Sequence, residues 1–119
     1  MRKIYHLSSC NTCQRIIEEL GGGKGFVLQD IKTERITPQQ IDEMKAMAGT
    51  YESLFSRRAM KYRSMGLHEQ DLSEQDYRRL ILEEYTFLKR PVIIVDEEIF
   101  AGNSKKVVAA AKSKLENAQ

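Results

Sequence analysis

Ile4-Tyr5-His6-Leu7-Ser8-Ser9-Cys10-Asn11-Thr12-Cys13-Gln14-Arg15-Ile16 is the stretch from which the rest of the chain is read. A short alternating apolar run passes through two serines into Cys10-Asn11-Thr12-Cys13, and Ile16, Ile17 and Leu20 then fall at helical spacing. This predicts strand, tight turn and helix, with a dithiol at the first turn of the helix. Cys10 sits where unpaired backbone N–H groups and the helix dipole favour an anion. Its thiolate is therefore expected to be more populated than an ordinary thiol pKa near ~8.5 allows. Cys13 is one turn further in, placed to attack a mixed disulfide on Cys10. These are the only two cysteines in the chain.

Three readings of the pair compete. A structural zinc site needs four thiolate or imidazole ligands, and only His6 and His68 could join the two thiols. Two ordinary buried cysteines are the second reading. The third is a redox dithiol, because a C-x-x-C beside a β-α-β pattern is the signal for a thioredoxin-like site.

With 119 residues the chain is read as one domain, 1–119, large enough for a core without disulfide staples. Hydrophobic residues at 41% and charged ones at 30% predict a soluble globular protein. No apolar run approaches the roughly 20 residues of a membrane span. Met1-Arg2-Lys3 leads into a strand and not into a signal peptide, so a cytoplasmic location and no membrane partner are expected. In that compartment an exposed cysteine pair is usually reduced and active. A net charge of +2 neither implies nor excludes nucleic acid, and no direct nucleic-acid partner is expected.

Beyond the first helix, Gly21-Gly22-Gly23-Lys24-Gly25 ends that helix and turns the chain back. Phe26 to Ile31 is a second strand, expected to run parallel to the first through a right-handed crossover. Thr37-Pro38-Gln39-Gln40 starts a helix with an apolar stripe of Ile41, Met44 and Ala48. Thr50 caps a run from Tyr51 to Phe55, and a further helix is predicted over Arg57 to Met65. Ser73-Glu74-Gln75-Asp76 is another capping box, followed by a stripe of Tyr77, Leu80, Ile81, Tyr85 and Leu88. The methionines at 44, 47, 60 and 65 are read as core filler. A helical insert, about 37–88, thus separates the second and third strands.

The third strand is Pro91-Val92-Ile93-Ile94-Val95, and the acidic turn after it folds Ile99-Phe100-Ala101 back as an edge strand. Ser104 caps a last helix with a stripe of Val107, Val108, Ala111 and Leu115; its alanine-rich end runs from Ala109 to Gln119. The predicted fold class is α/β, a small mixed sheet flanked by helices. Proline at the head of a buried strand is either a plain strand start or a cis peptide facing the dithiol. In the second case Arg90 points its guanidinium into the cleft and lowers the pKa of Cys10. The basic run Arg57-Arg58, Lys61, Arg63 is either a solvated face or the source of one arginine for the cleft.

Three stretches together resemble a known family: Tyr5-His6-Leu7-Ser8-Ser9-Cys10-Asn11-Thr12-Cys13, the run from Arg58 to Gly66, and Leu88-Lys89-Arg90-Pro91-Val92-Ile93-Ile94. The chain is similar, from Lys3 to about Leu115, to the ArsC/Spx/YffB group of arsenate reductase-related, glutaredoxin-like proteins. The resemblance implies a thioredoxin-like fold with the helical insert between the second and third strands. It places the nucleophilic cysteine on Cys10 and the arginine before the cis-proline on Arg90-Pro91. Plasmid-type arsenate reductases continue with Gly-Thr-Ser-Arg and ring the oxyanion with three arginines. Here Asn11-Thr12-Cys13-Gln14 follows, and the three positions fall on Ser56, Arg90 and Gly102, which implies weak arsenate turnover. The Spx branch has the C-x-x-C pair, an arginine where Arg58 stands, and Gly-aromatic-Asn near Gly102-Asn103. There the pair is a redox sensor and the protein binds the RNA polymerase α subunit.

The expected function is a thiol–disulfide oxidoreductase, with arsenate reduction and Spx-like regulation as alternatives. Cys10 is the expected nucleophile, Cys13 resolves the adduct, and Arg90 supports the thiolate. His6, Ser9, Asn11, Thr12, Arg58 and Pro91 are the candidate anion- or substrate-binding residues. No bound cofactor is expected; the reductant is an external thiol such as glutathione, glutaredoxin or thioredoxin.

Overall fold

The computed structural model describes residues 1–117; positions 118 and 119, the end of the predicted domain and of its alanine-rich tail, lie outside the described residues. Two compact units are present, Met1–Arg35 with Arg90–Gln119, and Ile36–Lys89.

The first unit holds a four-stranded sheet in the order β2-β1-β3-β4, made of β1 (Arg2–His6), β2 (Val27–Asp30), β3 (Val92–Val95) and β4 (Glu98–Ala101). β1 and β2 run parallel, with Ile4 opposite Leu28 and His6 opposite Asp30. β3 is antiparallel to both β1 and β4, pairing Tyr5 with Val92 and Val92 with Ala101. His6, Pro91 and Gly102 therefore stand at one end of the sheet. Ile4, Ile93 and Val95 form a core with Ile16, Ile17 and Leu20 and with Val108 and Ala111. That shared core puts α1 (Asn11–Glu19) and α5 (Lys105–Asn117) on the same face of the sheet. Burying these side chains is worth about 1.5–3 kcal/mol each, which accounts for the strict spacing of the stripe on α1.

The glycine run ends α1 as expected. Gly22 donates its N–H to Ile17 O at 2.9 Å, and Phe26 donates to Gly23 O at 3.0 Å. Gly23 has φ +82°, and a Cβ there would lie 3.3 Å from the Leu28 side chain, so this position tolerates glycine best. β2 begins one residue later than predicted, at Val27, because Phe26 is held in the turn. Ser104 Oγ accepts the N–H of Val107 at 3.2 Å and caps α5.

The second unit contains α2 (Pro38–Ala48), α3 (Met60–Ser64) and α4 (Glu74–Glu83), joined by three short 3-10 turns. Both predicted capping boxes form, Thr37 with Gln40 and Ser73 with Asp76. The helix predicted over 57–65 shortens to Met60–Ser64. Phe55 is extended and bridges Leu88, and the N–H of Ser56 goes to Phe87 O at 2.7 Å, so this segment pairs across the unit before a helix can start. For the same reason α4 ends at Glu83, and Tyr85–Phe87 is a separate 3-10 turn. Of the four methionines read as filler, Met44 is fully buried, whereas Met60 is 89% and Met65 48% exposed. A five-residue α3 with no buried residue has no core face to put them on.

Candidate active site

Cys10 is the N-cap of α1. Its sulfur takes the place usually held by a serine or aspartate oxygen and accepts the N–H of Cys13 at 3.4 Å. Burial opposes charge on this sulfur. The N–H of Cys13, the Cys13 thiol, the Arg90 guanidinium and the N–H of Thr12 outweigh it and hold the Cys10 pKa below the ordinary thiol value. Cys13 lies one turn on, fully buried on the apolar stripe with Ile16 and Ile17. Burial, and then the neighbouring Cys10, push its pKa up to about 11, against the Leu7 N–H, which favours the thiolate. Both cysteines are free.

The turn that presents Cys10 is held from three sides. Leu7 O accepts the N–H of Cys10 at 3.1 Å and the side-chain amide of Gln14 at 2.9 Å. The same amide lies 3.4 Å from His6 Nδ1, and His6 is buried at the end of β1. On the other flank Asp30 accepts the N–H of Ser8 at 3.2 Å, the Ser8 hydroxyl, and the N–H of Lys32 at 3.0 Å. The Ser8 hydroxyl and the Lys32 N–H, with the Ser8 N–H behind them, keep the Asp30 carboxyl below the usual carboxylate range against the effect of burial. Ser8 thus supports the loop, since both its donors go to Asp30.

The Arg90–Pro91 peptide bond is cis. Pro91 is buried, and its carbonyl accepts the N–H of Gly102 at 2.9 Å. Ser9 and Asn11 are exposed beside Cys10, and Thr12 is half-buried with its N–H toward the Cys10 sulfur. The structure thus gathers His6, Ser9, Cys10, Asn11, Thr12, Cys13, Arg90 and Pro91 at one end of one sheet. Arg58 belongs to the other unit, in the exposed turn before α3.

Gln14 and Asp30 are the residues that sequence reasoning missed. Asp30 carries a local signal, since an aspartate at a strand end that accepts an N–H two residues on is a common turn. Gln14 carries none. Among the described residues no group of three or more His, Cys, Asp and Glu side chains is placed to hold a metal ion. No helix among them is long and apolar enough to cross a membrane.

A four-stranded mixed sheet with a C-x-x-C at the start of its first helix and a cis-proline at the head of β3 defines a thioredoxin-like fold. The sequence model of the ArsC family matches residues 5–111, and the chain belongs to that family. No curated protein sequence matches it. Among solved structures it is similar to a YFFB protein, with 22% identity over 93% of this chain and 98% of the other and a TM-score of 0.78. A possible arsenate reductase from Streptococcus mutans aligns at 23% identity over 88% and 92% of the two chains, with a TM-score of 0.71. An arsenate reductase from Vibrio cholerae aligns at 17% identity over 92% and 96%, with a TM-score of 0.73. At these identities the likeness is one of fold.

Proposed function

We propose that this chain is a thiol–disulfide oxidoreductase in which Cys10 is the nucleophile and Cys13 the resolving thiol. The observation that carries this reading is the inequality of the two sulfurs. One is a half-exposed helix cap with a lowered pKa, and the other is fully buried with a pKa raised to about 11. Of the two, Cys10 is the accessible sulfur and the more readily ionised one.

In the forward half-reaction the Cys10 thiolate attacks one sulfur of a disulfide, the other sulfur leaves as a thiolate and takes up a proton, and a mixed disulfide forms on Cys10. Once Cys10 is capped, it no longer raises the pKa of Cys13 by hydrogen bonding and repulsion. Cys13 then loses its proton and attacks the Cys10 sulfur, which releases the second substrate thiolate. The pair ends as a Cys10–Cys13 disulfide and the substrate as two thiols, a transfer of two electrons. An external thiol reductant, such as glutathione, glutaredoxin or thioredoxin, restores the dithiol. Arg90 supports the thiolate and Pro91 frames the substrate side of the cleft.

Arsenate reduction is the alternative named by several of the similar structures. Ser56 and Gly102 stand where the resembled enzymes have arginines, and the Gly102 N–H is already bonded to Pro91 O. Two missing charge-assisted contacts, at about 1.5–3 kcal/mol each, lower turnover by roughly a hundred- to ten-thousand-fold. The test is a side-by-side turnover assay with a mixed glutathione disulfide and with arsenate, using glutaredoxin and thioredoxin systems as electron donors. Disulfide reduction that vanishes in Cys10→Ser supports the reading. Arsenate turnover matching an authentic arsenate reductase, without disulfide reduction, overturns it.

A further inference from the structure

Between α1 and α5 a groove of about 350 Å³ is lined by Arg15, Ile16 and Glu19 on one side and by Asn103, Lys105, Val108, Ala109 and Lys112 on the other. Its apolar lining is Ile16 and Val108, both buried, and the exposed Ala109, and three cations line it beside them. Some cations elsewhere stand in ion pairs: Arg57 with Glu52, Lys61 with Glu84, Arg78 with Asp42, and on α5 itself Lys114 with Glu98 at 3.2 Å. Among the described residues Arg15, Lys105 and Lys112 have no carboxylate within 4.0 Å. Glu19 follows Arg15 by one helical turn, yet the two do not pair. The groove therefore gathers unpaired positive charge beside an apolar lining, which complements a chain carrying carboxylates alternating with aliphatic side chains.

Through Asn103, which follows Gly102, one end of the groove lies toward the end of the sheet from which the dithiol is presented. Both helices begin at the end of the sheet that holds His6, Pro91 and Gly102. Arg15 is five residues past Cys10, about 7–8 Å along the axis at 1.5 Å per residue. Five residues also carry the helix about 140° around its axis, so a chain from Cys10 must pass around the helix end as well, and about four extended residues at about 3.3 Å each cover the path. A polypeptide whose disulfide reaches Cys10 can thus lay its following residues along the groove, with alternate side chains on the apolar lining and on the cations.

We infer that the α1–α5 groove docks an acidic extended segment of a protein disulfide substrate, its carboxylates on Arg15, Lys105 and Lys112 and its aliphatic side chains on Ile16, Val108 and Ala109. The inference rests on the oxidoreductase reading for the identity of the substrate. A nucleic acid fits less well, because the lining has no aromatic ring for a base to stack on.

The probe is a peptide with a cysteine four residues ahead of glutamate–leucine–glutamate–leucine–glutamate, and a twin with glutamine for each glutamate. Fluorescein-labelled forms lacking the cysteine are titrated into the protein and followed by anisotropy. The cysteine forms, capped as mixed disulfides with 5-thio-2-nitrobenzoate, report the reaction by release of the coloured aryl thiol. The acidic peptide is expected to bind and react about tenfold better than its twin at low salt, and the preference shrinks toward unity in 0.5 M salt as charges are screened. In Arg15→Gln/Lys105→Gln/Lys112→Gln the preference is lost, while the glutamine twin reacts as with the wild type, which shows an intact fold and dithiol.

Equal behaviour of the two peptides, a preference that survives in the triple variant, or displacement of the peptide by a single-stranded oligonucleotide at lower concentration overturns the inference. Preferential binding with no aryl thiol released from either peptide overturns the oxidoreductase reading and with it the substrate identity. Equal binding with normal release overturns the docking alone.

Discussion

Around Cys10 the polar groups converge on a few acceptors: Leu7 O takes two donors, Asp30 takes three, and Pro91 O takes the Gly102 N–H. Ile36–Lys89 has such acceptors too, Glu74 for the N–H groups of Tyr51 and Glu52 and Asp42 for Tyr51 and Arg78, but it adds a set of ion pairs, Arg57 with Glu52, Lys61 with Glu84, Arg78 with Asp42, and Arg79 with Asp76 and Glu83. Exposed pairs of that kind contribute about 0–1 kcal/mol each. The insert is held instead by its apolar side chains, with Phe55 packed on Phe87 at 5.0 Å and edge-on to Tyr62 and Tyr77. The contrast separates two kinds of sensitivity. Substitutions at the dithiol loop are expected to change reactivity, and substitutions in the insert to change stability according to how deeply they are buried.

The sharpest test of that separation is Cys10→Ser. Disulfide turnover is expected to fall to background, while urea unfolding changes by less than about 0.5 kcal/mol, because serine is itself a good N-cap. Cys13→Ser keeps the first attack and accumulates the mixed disulfide, visible by mass spectrometry. A Cys10→Ser protein that still turns over would break the comparison. Next in size, Phe55→Ala removes a side chain that is 1% exposed and is expected to cost about 3–5 kcal/mol of unfolding free energy in a denaturant titration.

Arg90→Gln acts on reactivity. Against burial, the Cys13 N–H and the Cys13 thiol do most to hold the Cys10 pKa below the ordinary thiol value, and the Arg90 guanidinium adds to them, so losing its charge moves the titration part of the way upward. The alkylation rate of Cys10 at neutral pH therefore falls, and its midpoint in a Cys13→Ser background rises; an unchanged profile counts against the assignment. The smallest effects are in the insert. Ser73→Ala loses its capping box and about 1 kcal/mol, whereas Met60→Ala stays within about 0.5 kcal/mol because that side chain is in water. A large loss at Met60 would show that exposure misjudges this region.

What was legible in the sequence was local. The alternating run before Cys10, the β-branched run after Pro91, the glycines after Leu20 and both capping boxes are short-range signals, and the elements follow them. The inward position of Cys13 follows from its spacing with Ile16, Ile17 and Leu20. What was not legible depends on partners far along the chain. The Ser8–Asp30 bonds span 22 residues, and the Tyr51 N–H finds Glu74 Oε1 at 2.8 Å across 23. The bridge from Phe55 to Leu88 likewise cuts short a helix that local spacing supports, and with it goes the expected burial of Met60 and Met65. Gln14, which binds the turn from within the helix, shows no pattern until the Leu7 carbonyl is seen above it.

Because Cys10 is both helix cap and proposed nucleophile, chemistry at its sulfur is also a change in secondary structure. The thiolate is a charged acceptor for the first amides of α1, and a disulfide sulfur is a neutral and much poorer one. In the proposed dithiol–disulfide cycle, oxidation is therefore expected to loosen the first turn of the helix and reduction to tighten it. Solvent exchange at the amides of Thr12 and Cys13 then records the electron content of the protein, slow when the pair is reduced and faster when it is not. The backbone itself becomes the indicator, readable without any label on the sulfur.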